Sequence, residues 1–297
     1  MGISHTVQRI SRSSLLLVLL FSCQALAMLY PDRVQAEDTS KDKDKDKEEL
    51  PDRFMVRGGA NFIWNADTNM SLSGSRGAGA LINYSDLLKG ETKATVPRVD
   101  AYFRFNPNHS IGFTYYRVGR DGLAGIDRSF NFGNVTFPIG ATVQSELNIA
   151  MYQIYYNYSF YHNEKVELAT TLGFYFTEVS ATLTAQTTVG SLINAGTTSA
   201  SDLLAPLPQV GFIMRYHITP RLKSEVRANF FYISASSWTG SLVDLYLGLE
   251  YRLFKHFGIG GALNRMDANI QGPVGSSAVF KVDNSWNAGF VYGSLYF

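Results

Sequence analysis

The sequence predicts an all-β fold: an antiparallel up-and-down β-barrel of about ten strands that crosses a membrane. Three observations predict it. Apolar and polar residues alternate with a period of two over runs of about ten or more residues, the length of a tilted membrane crossing rather than of the shorter strands in a soluble sandwich. The links between these runs alternate between tight and longer. Beyond the N-terminus no apolar stretch approaches the roughly 20 residues that a membrane helix needs, while 17 Tyr, 20 Phe and 26 Gly in 297 residues suit strands and turns.

Residues 1–36 read as a secretory signal peptide: Arg9 and Arg12 precede the apolar run Leu15–Phe21, and cleavage is expected after Ala27 or Ala36. Leu20-Phe21-Ser22-Cys23 faintly resembles a lipoprotein box, with Phe21 bulkier than that motif accepts. Cys23 is the one cysteine, so the mature chain is expected to hold no disulfide. Residues 37–52, with KDKDKDKEE at 41–49, are too polar to offset the entropy of ordering and read as a disordered charged spacer.

The barrel is expected over 53–297. In the first strand Phe54, Val56, Gly58, Ala60, Phe62 and Trp64 share a face opposite Arg57, Gly59 and Asn61. The second, 95–106, sets Val99, Ala101, Phe103 and Phe105 against Arg98, Asp100, Tyr102 and Arg104. Strands follow at 110–119, 141–160, 165–178, 209–218, 222–232, 243–253, 257–269 and 278–297. The inward faces of four of them carry Glu167, then Arg215, then Lys223, Glu225 and Arg227, then Asp244, Glu250 and Arg252. Eight or twelve strands are the alternatives, because 80–84 and 127–132 could extend a strand or fold into the mouth.

Tight turns are expected at 106–109, 161–164, 219–221 and 254–256, with Pro107 suited to the second position of a type I turn. Longer links are expected at 66–93, 121–140, 181–203, 234–240 and 270–277. Short turns on one side and long loops on the other are a pattern of membrane barrels. Pro97, Pro206 and Pro208 are expected at outer rims, where a missing donor is tolerable.

The leader, the repeated amphipathic strands and the final aromatic together resemble the outer-membrane β-barrel proteins of Gram-negative bacteria. The resemblance implies outer-membrane location with both termini periplasmic, and contact with outer-membrane lipid and lipopolysaccharide. It also implies delivery by periplasmic chaperones to a barrel-assembly machinery. The last strand is similar to the signal that machinery reads, through Tyr292, Gly293, Leu295 and Phe297. One departure stands: Gly293 lies four residues before Phe297, where the family's glycine usually lies five before, so Tyr292 takes that place. A closed barrel also requires this strand to pair with 54–65, with Leu295 and Phe297 toward lipid and Tyr296 toward the lumen.

The inward charges Arg57, Arg98, Asp100, Arg104, Glu167, Arg215, Lys223, Glu225, Arg227, Asp244, Glu250 and Arg252 read either as a compensated structural network or as the lining of a selective path. Ten strands lie nearer the filled limit than the wide channels. Balanced charge (+1) gives no nucleic-acid patch. His109, His162, His217 and His256 fall at the tight turns, away from loop acids such as Asp86, Asp121 and Asp127. No catalytic, metal or cofactor site is therefore assigned. The expectation is a monomeric, non-catalytic barrel, either a narrow passage or an envelope structural protein. The alternatives are a barrel hydrolase and surface interaction through 66–93 and 181–203.

Overall fold

A computed structural model describes residues 52–74, 79–189, 192–235, 238–274 and 278–297. The leader and the charged spacer lie outside the described residues, save Asp52. The elements are β1 Phe54–Ser73, β2 Ile82–Asn83, α1 Tyr84–Leu87, β3 Ala94–Asn106, β4 His109–Gly125, β5 Phe130–Phe132, β6 Val135–Phe137, β7 Thr142–His162, β8 Val166–Val189, β9 Leu192–His217, β10 Leu222–Ala235, β11 Trp238–Phe254, β12 Phe257–Val274 and β13 Ala278–Tyr296. Ten of them, β1, β3, β4 and β7 to β13, form a closed antiparallel ring. The ring closes where β13 pairs with β1, from Met55 opposite Tyr296 to Ser73 opposite Val279. Phe54 and Phe297 exchange backbone hydrogen bonds of 3.0 and 2.9 Å at its end.

Side-chain chemistry locks the tight turns. Asn106 Oδ1 accepts from the amides of Asn108 and His109, Asn163 Oδ1 from Lys165 and Val166, and Thr219 Oγ1 from Arg221 and Leu222. Such local bonds hold a reversal without a partner strand.

The wall has two tiers. In the lower one, at the tight-turn end, outward side chains are apolar: Phe54 and Phe62 on β1, Phe103 on β3, Phe113 on β4, Phe174 on β8, Leu249 on β11, Leu263 on β12, Val291 and Leu295 on β13, and Phe297 just after it are all exposed. From Gly289 to Phe297 this belt spans roughly 27 Å along the strand, or on the order of 20 Å across a bilayer at a tilt of about 40°. Above it the chemistry inverts. On β13 the outward set becomes Asn287, Ser285, Asp283 and Lys281, while Trp286, Val282 and Phe280 turn inward and are buried. On β12 the outward set becomes Arg265, Asp267 and Asn269, with Met266, Ala268 and Ile270 inward. In β1 a bulge makes the change. The register with β13 shifts between Trp64 and Asp67, around Asn65 at φ 53°. An extra residue flips the faces beyond it. Even-numbered Phe62 and Trp64 therefore point outward while Ala66, Met70 and Leu72 point inward.

The inward face is thus not charged throughout, as the sequence suggests; its upper half is a hydrophobic core. Two inserted segments fill it. In 79–93, β2 pairs with Asn69 and Met70 of β1, and Asn83 Oδ1 caps α1 by accepting from Ser85 and Asp86. Ile82, Tyr84 and Leu88 are buried there. In 126–141, β5 and β6 make a hairpin whose Phe130 and Phe137 rings stack at 4.9 Å, with Gly133 supplying the positive φ of its turn. Both ambiguous segments, 80–84 and 127–132, fold into the mouth, and the ring keeps ten strands.

Two further expectations need correction. Most of 66–73, 181–203, 234–240 and 270–277 is strand, since β1, β8, β9, β10, β11 and β12 run on into the upper tier. A hydrophobic core on the inner face gives those residues something to pair around. Pro206 and Pro208 lie inside β9 and Pro97 inside β3, not at the rim. Strand neighbours explain how this is tolerated. Among the described residues, β9 before Val210 pairs only with β8 and β3 before Arg98 only with β1, so each strand has a side on which no ladder donor is called for.

The core reading predicts that Phe132→Ala, which empties a fully buried position, destabilises the upper tier by about 3–5 kcal/mol. Limited proteolysis should then cut the upper tier faster while the heat-modifiable gel shift of the lower tier persists.

Candidate functional site

The lower lumen is where the sequence concentrates chemistry. Alternation puts every second residue of each strand inside, and register then sets partners side by side. Glu167 on β8 lies opposite Arg215 on β9, Arg215 opposite Glu225 on β10, and Lys223 opposite Glu250 on β11. Glu225 is the hub: Arg57 Nη1 at 3.1 Å, Arg215 Nε at 3.0 Å and Arg227 Nε at 3.3 Å surround its carboxylate. Glu250 receives Arg57 Nε at 3.1 Å, Lys223 Nζ at 3.0 Å and the Ser294 hydroxyl at 2.9 Å. Glu167 receives Arg104 at 2.9 Å, Arg215 at 3.0 Å and Ser159 at 2.5 Å. Asp100 receives Arg98 at 2.9 Å and Arg227 at 3.4 Å. One connected network therefore crosses the lumen from β1 to β10 and β11.

Cations outnumber carboxylates in it, and tyrosine rings supply the balance. Arg227 lies 3.9 Å from the Tyr246 ring centroid, Lys223 4.5 Å from that of Tyr296, Arg57 5.1 Å from that of Tyr292, and Arg215 5.6 Å from that of Tyr102. A ring face carries negative quadrupole charge and attracts a cation, more so where water is excluded. Arg98 closes the tier from above, 5.0 Å from the centroid of Phe290 and 5.3 Å from that of Tyr116. Tyr116 in turn meets Trp286, the first layer of the hydrophobic core. Sequence reasoning places Tyr102 and Tyr296 on the inward face but gives them no part in the charge network. Their spacing two residues from inward charges, as at Tyr102 with Asp100 and Arg104, is the signal that could find them.

Two predicted members stand apart. Among the described residues Asp244 makes no salt bridge; it accepts from Tyr175 at 2.5 Å, Asn264 at 2.6 Å and Asn229 at 3.3 Å. Arg252 sits at the rim, paired with Asp52 and stacked 4.1 Å from the Tyr296 centroid. Of the terminal residues, Leu295 and Phe297 face outward, whereas Tyr292 is buried in the lumen beneath Arg57. Gly293 faces outward against the edge of Phe257, where an added Cβ would come within 3.3 Å.

The four histidines stay at the tight-turn end. His109 bonds the Tyr156 hydroxyl, and His256 Nδ1 lies 2.8 Å from the Tyr296 carbonyl. Among the described residues no three His, Cys, Asp or Glu side chains gather as metal ligands would. Polar pairs such as Gln153 with Gln209 (3.0 Å) and Asn157 with Thr171 (2.9 Å) occupy the lumen beside the ions. A concave site of about 660 Å³ among the described residues lies on the lipid-facing wall instead, bordered by Gly58, Leu249, Tyr251, Ile259, Val291 and Gly293.

Removing one partner of a buried ion pair strands the other, at a cost of about 3–5 kcal/mol. Glu225→Gln, which takes one of two carboxylate partners from each of Arg57, Arg215 and Arg227, should therefore lower the temperature of the heat-modifiable gel shift strongly. Asp283→Asn, on the outward upper wall, should leave it unchanged.

No protein-family model matches the chain, and no curated protein matches it. Solved structures with a similar fold include the outer-membrane protease OmpT from Escherichia coli, at 8% identity over 82% of this chain and 97% of that one, with a TM-score of 0.47. The outer-membrane protein OprG from Pseudomonas aeruginosa is 12% identical over 84% of this chain and 97% of its own, with a TM-score of 0.33. The toluene transporter TodX from P. putida is 9% identical over 83% and 91%, with a TM-score of 0.33. At such identities nothing those proteins cleave or carry transfers to this chain. Its own closed ring of ten strands, apolar outward belt and charged lower lumen are the features of a membrane-spanning β-barrel.

Proposed function

We propose that this chain is an integral outer-membrane protein with both termini periplasmic, acting without catalysis as a closed structural body of the envelope. The observation that carries this reading is the filling of the lumen at both levels. Below, the side chains of Arg57, Asp100, Glu225, Arg227 and Glu250 are buried and joined across the bore. Above, the inserted segments pack Ile82, Tyr84, Phe132 and Phe137 against the wall. A hydrated ion would have to break several charge-assisted contacts in the lower tier and then enter an apolar core, and both steps are costly. The narrow-passage alternative needs a continuous wet path, and the buried ion pairs below and the packed inserts above count against one.

In this reading the monomer contacts outer-membrane lipid and lipopolysaccharide through its belt, and periplasmic chaperones deliver the chain. The edge carrying Gly293, Leu295 and Phe297 is what the assembly machinery would engage. Tyr292, inside the lumen, serves the ionic tier instead.

Single-channel recording of the folded barrel in planar bilayers tests the proposal. It should show no steady conductance at neutral pH in monovalent salt. Discrete, reproducible openings from well-folded protein would overturn the closed-body reading in favour of a passage.

A further inference from the structure

The lower wall carries a hollow on its outward side. One row of register partners crosses five strands there: Gly58 on β1, Gly293 on β13, Ile259 on β12, Tyr251 on β11 and Leu222 on β10. Gly261 stands one row above, opposite Val291 and Leu249. Larger side chains frame these small ones, with Leu295 and Phe257 paired in the row toward the rim and Val291 and Leu249 in the row toward the upper tier. The floor between them is open. A Cβ on Gly58 would meet nothing within 4 Å, and one on Gly261 would meet only the Phe290 carbonyl oxygen at 3.8 Å. The resulting concavity is the one of about 660 Å³ described above, the size of a small-molecule site.

Two of the tight turns lie directly beneath it. Arg221 precedes Leu222, and its carbonyl accepts from the Arg252 amide at 2.7 Å. Lys255 and His256 form the turn that joins the strand of Tyr251 to that of Ile259. Arg221 and Lys255 are exposed, and among the described residues neither makes an ion pair; Asp52, at the same rim, is paired with Arg252. Exposed Phe254 and Phe297 stand beside them, with the His256 ring stacked on Phe297, as aromatics do at a membrane interface. From Gly293 to Phe297 the strand rises about 13 Å, or about 10 Å along the bilayer normal at a tilt of about 40°. A phospholipid whose phosphate lies at the rim therefore has its acyl chains at the level of the hollow.

We propose, on the reading of the belt as membrane-facing with the tight turns periplasmic, that the hollow and the two basic turns are one site for an anionic phospholipid. An acyl chain lies over Gly58, Gly293 and Gly261, and Arg221 and Lys255 hold the phosphate. A base beside a membrane surface attracts net negative charge, so the site selects an anionic lipid over a zwitterionic one with the same chains. Tyr251, exposed on the wall of the hollow, adds a ring suited to the boundary between apolar and wet surroundings. A second copy of the chain is the other occupant such a face could take. A two-fold pairing would bring the same bases of both copies to one level, and neither turn holds a carboxylate to answer them.

The test is native mass spectrometry of the folded barrel, freed of lipid in non-ionic detergent and then given phosphatidylglycerol or phosphatidylcholine with the same acyl chains. One phosphatidylglycerol should be retained, in about tenfold preference to phosphatidylcholine at low salt. Arg221→Gln with Lys255→Gln should abolish the preference. Gly58→Leu with Gly261→Leu, whose side chains enter open space, should lower retention of both lipids severalfold while the heat-modifiable gel shift persists. No retained lipid, or equal retention of the two, would overturn the site. So would a preference indifferent to both pairs of substitutions, or a lipid-free pair of barrels in place of the lipid adduct. Flotation of the unaltered protein with phosphatidylcholine vesicles is read in parallel. Failure to float would sink the membrane-belt reading itself, whereas flotation without a phosphatidylglycerol preference would sink the site alone.

Discussion

A strand that leaves a bilayer and continues into water changes solvent partway along its length, and the rest of this structure depends on that change. Below the boundary the outer face must be apolar, which leaves the polar and charged residues of each strand for the lumen. Above it the outer face must be wetted, and the apolar residues turn inward to form a core of the kind found in soluble proteins. The lower tier is therefore an ion-filled membrane barrel, and the upper tier is a hydrophobic barrel stacked on it. Arg98, held against Phe290 and Tyr116, sits at the joint.

The two tiers hold the barrel closed by different physics. Buried ions are weak evidence for stability in themselves, but they are strong determinants of register. A one-residue slip of β10 would carry Lys223, Glu225 and Arg227 onto the lipid face, where an arginine or lysine costs about 2–4 kcal/mol at midplane depth. The cross-strand pairs of Glu167 with Arg215 and Lys223 with Glu250 penalise the same slip from the neighbouring strands. In the upper tier, where outward residues are polar and a slip is cheaper, inserted segments and aromatic packing such as Phe132 on Phe280 hold the position instead.

The lower tier was almost wholly legible in the sequence, because alternation, turn chemistry and charge placement all carry the same period. Partners such as Arg57 with both Glu225 and Glu250 were not, since they span the bore and depend on its diameter. Much of the upper tier reads as loops in the sequence for a specific reason. The apolar residues switch parity at the boundary, as from Leu263 to Met266 on β12, so a scan for one unbroken alternation ends such strands too early, although β7 and β13 keep close to their expected spans. In β1 the parity continues and the bulge at Asn65 flips the face instead, which no periodicity reveals. The rule that interior strands need every donor puts Pro206 and Pro208 at the rim. That rule fails where a strand has one neighbour.

The most direct measurement of the two-tier account is a cysteine scan along the outward face of β13 in proteoliposomes, with a membrane-impermeant maleimide applied to the outer tier. Ser285→Cys and Asn287→Cys should label readily, Val291→Cys and Leu295→Cys should be protected, and the transition should fall at Gly289. Protection extending up through Asp283→Cys, or ready labelling at Val291→Cys, would contradict it.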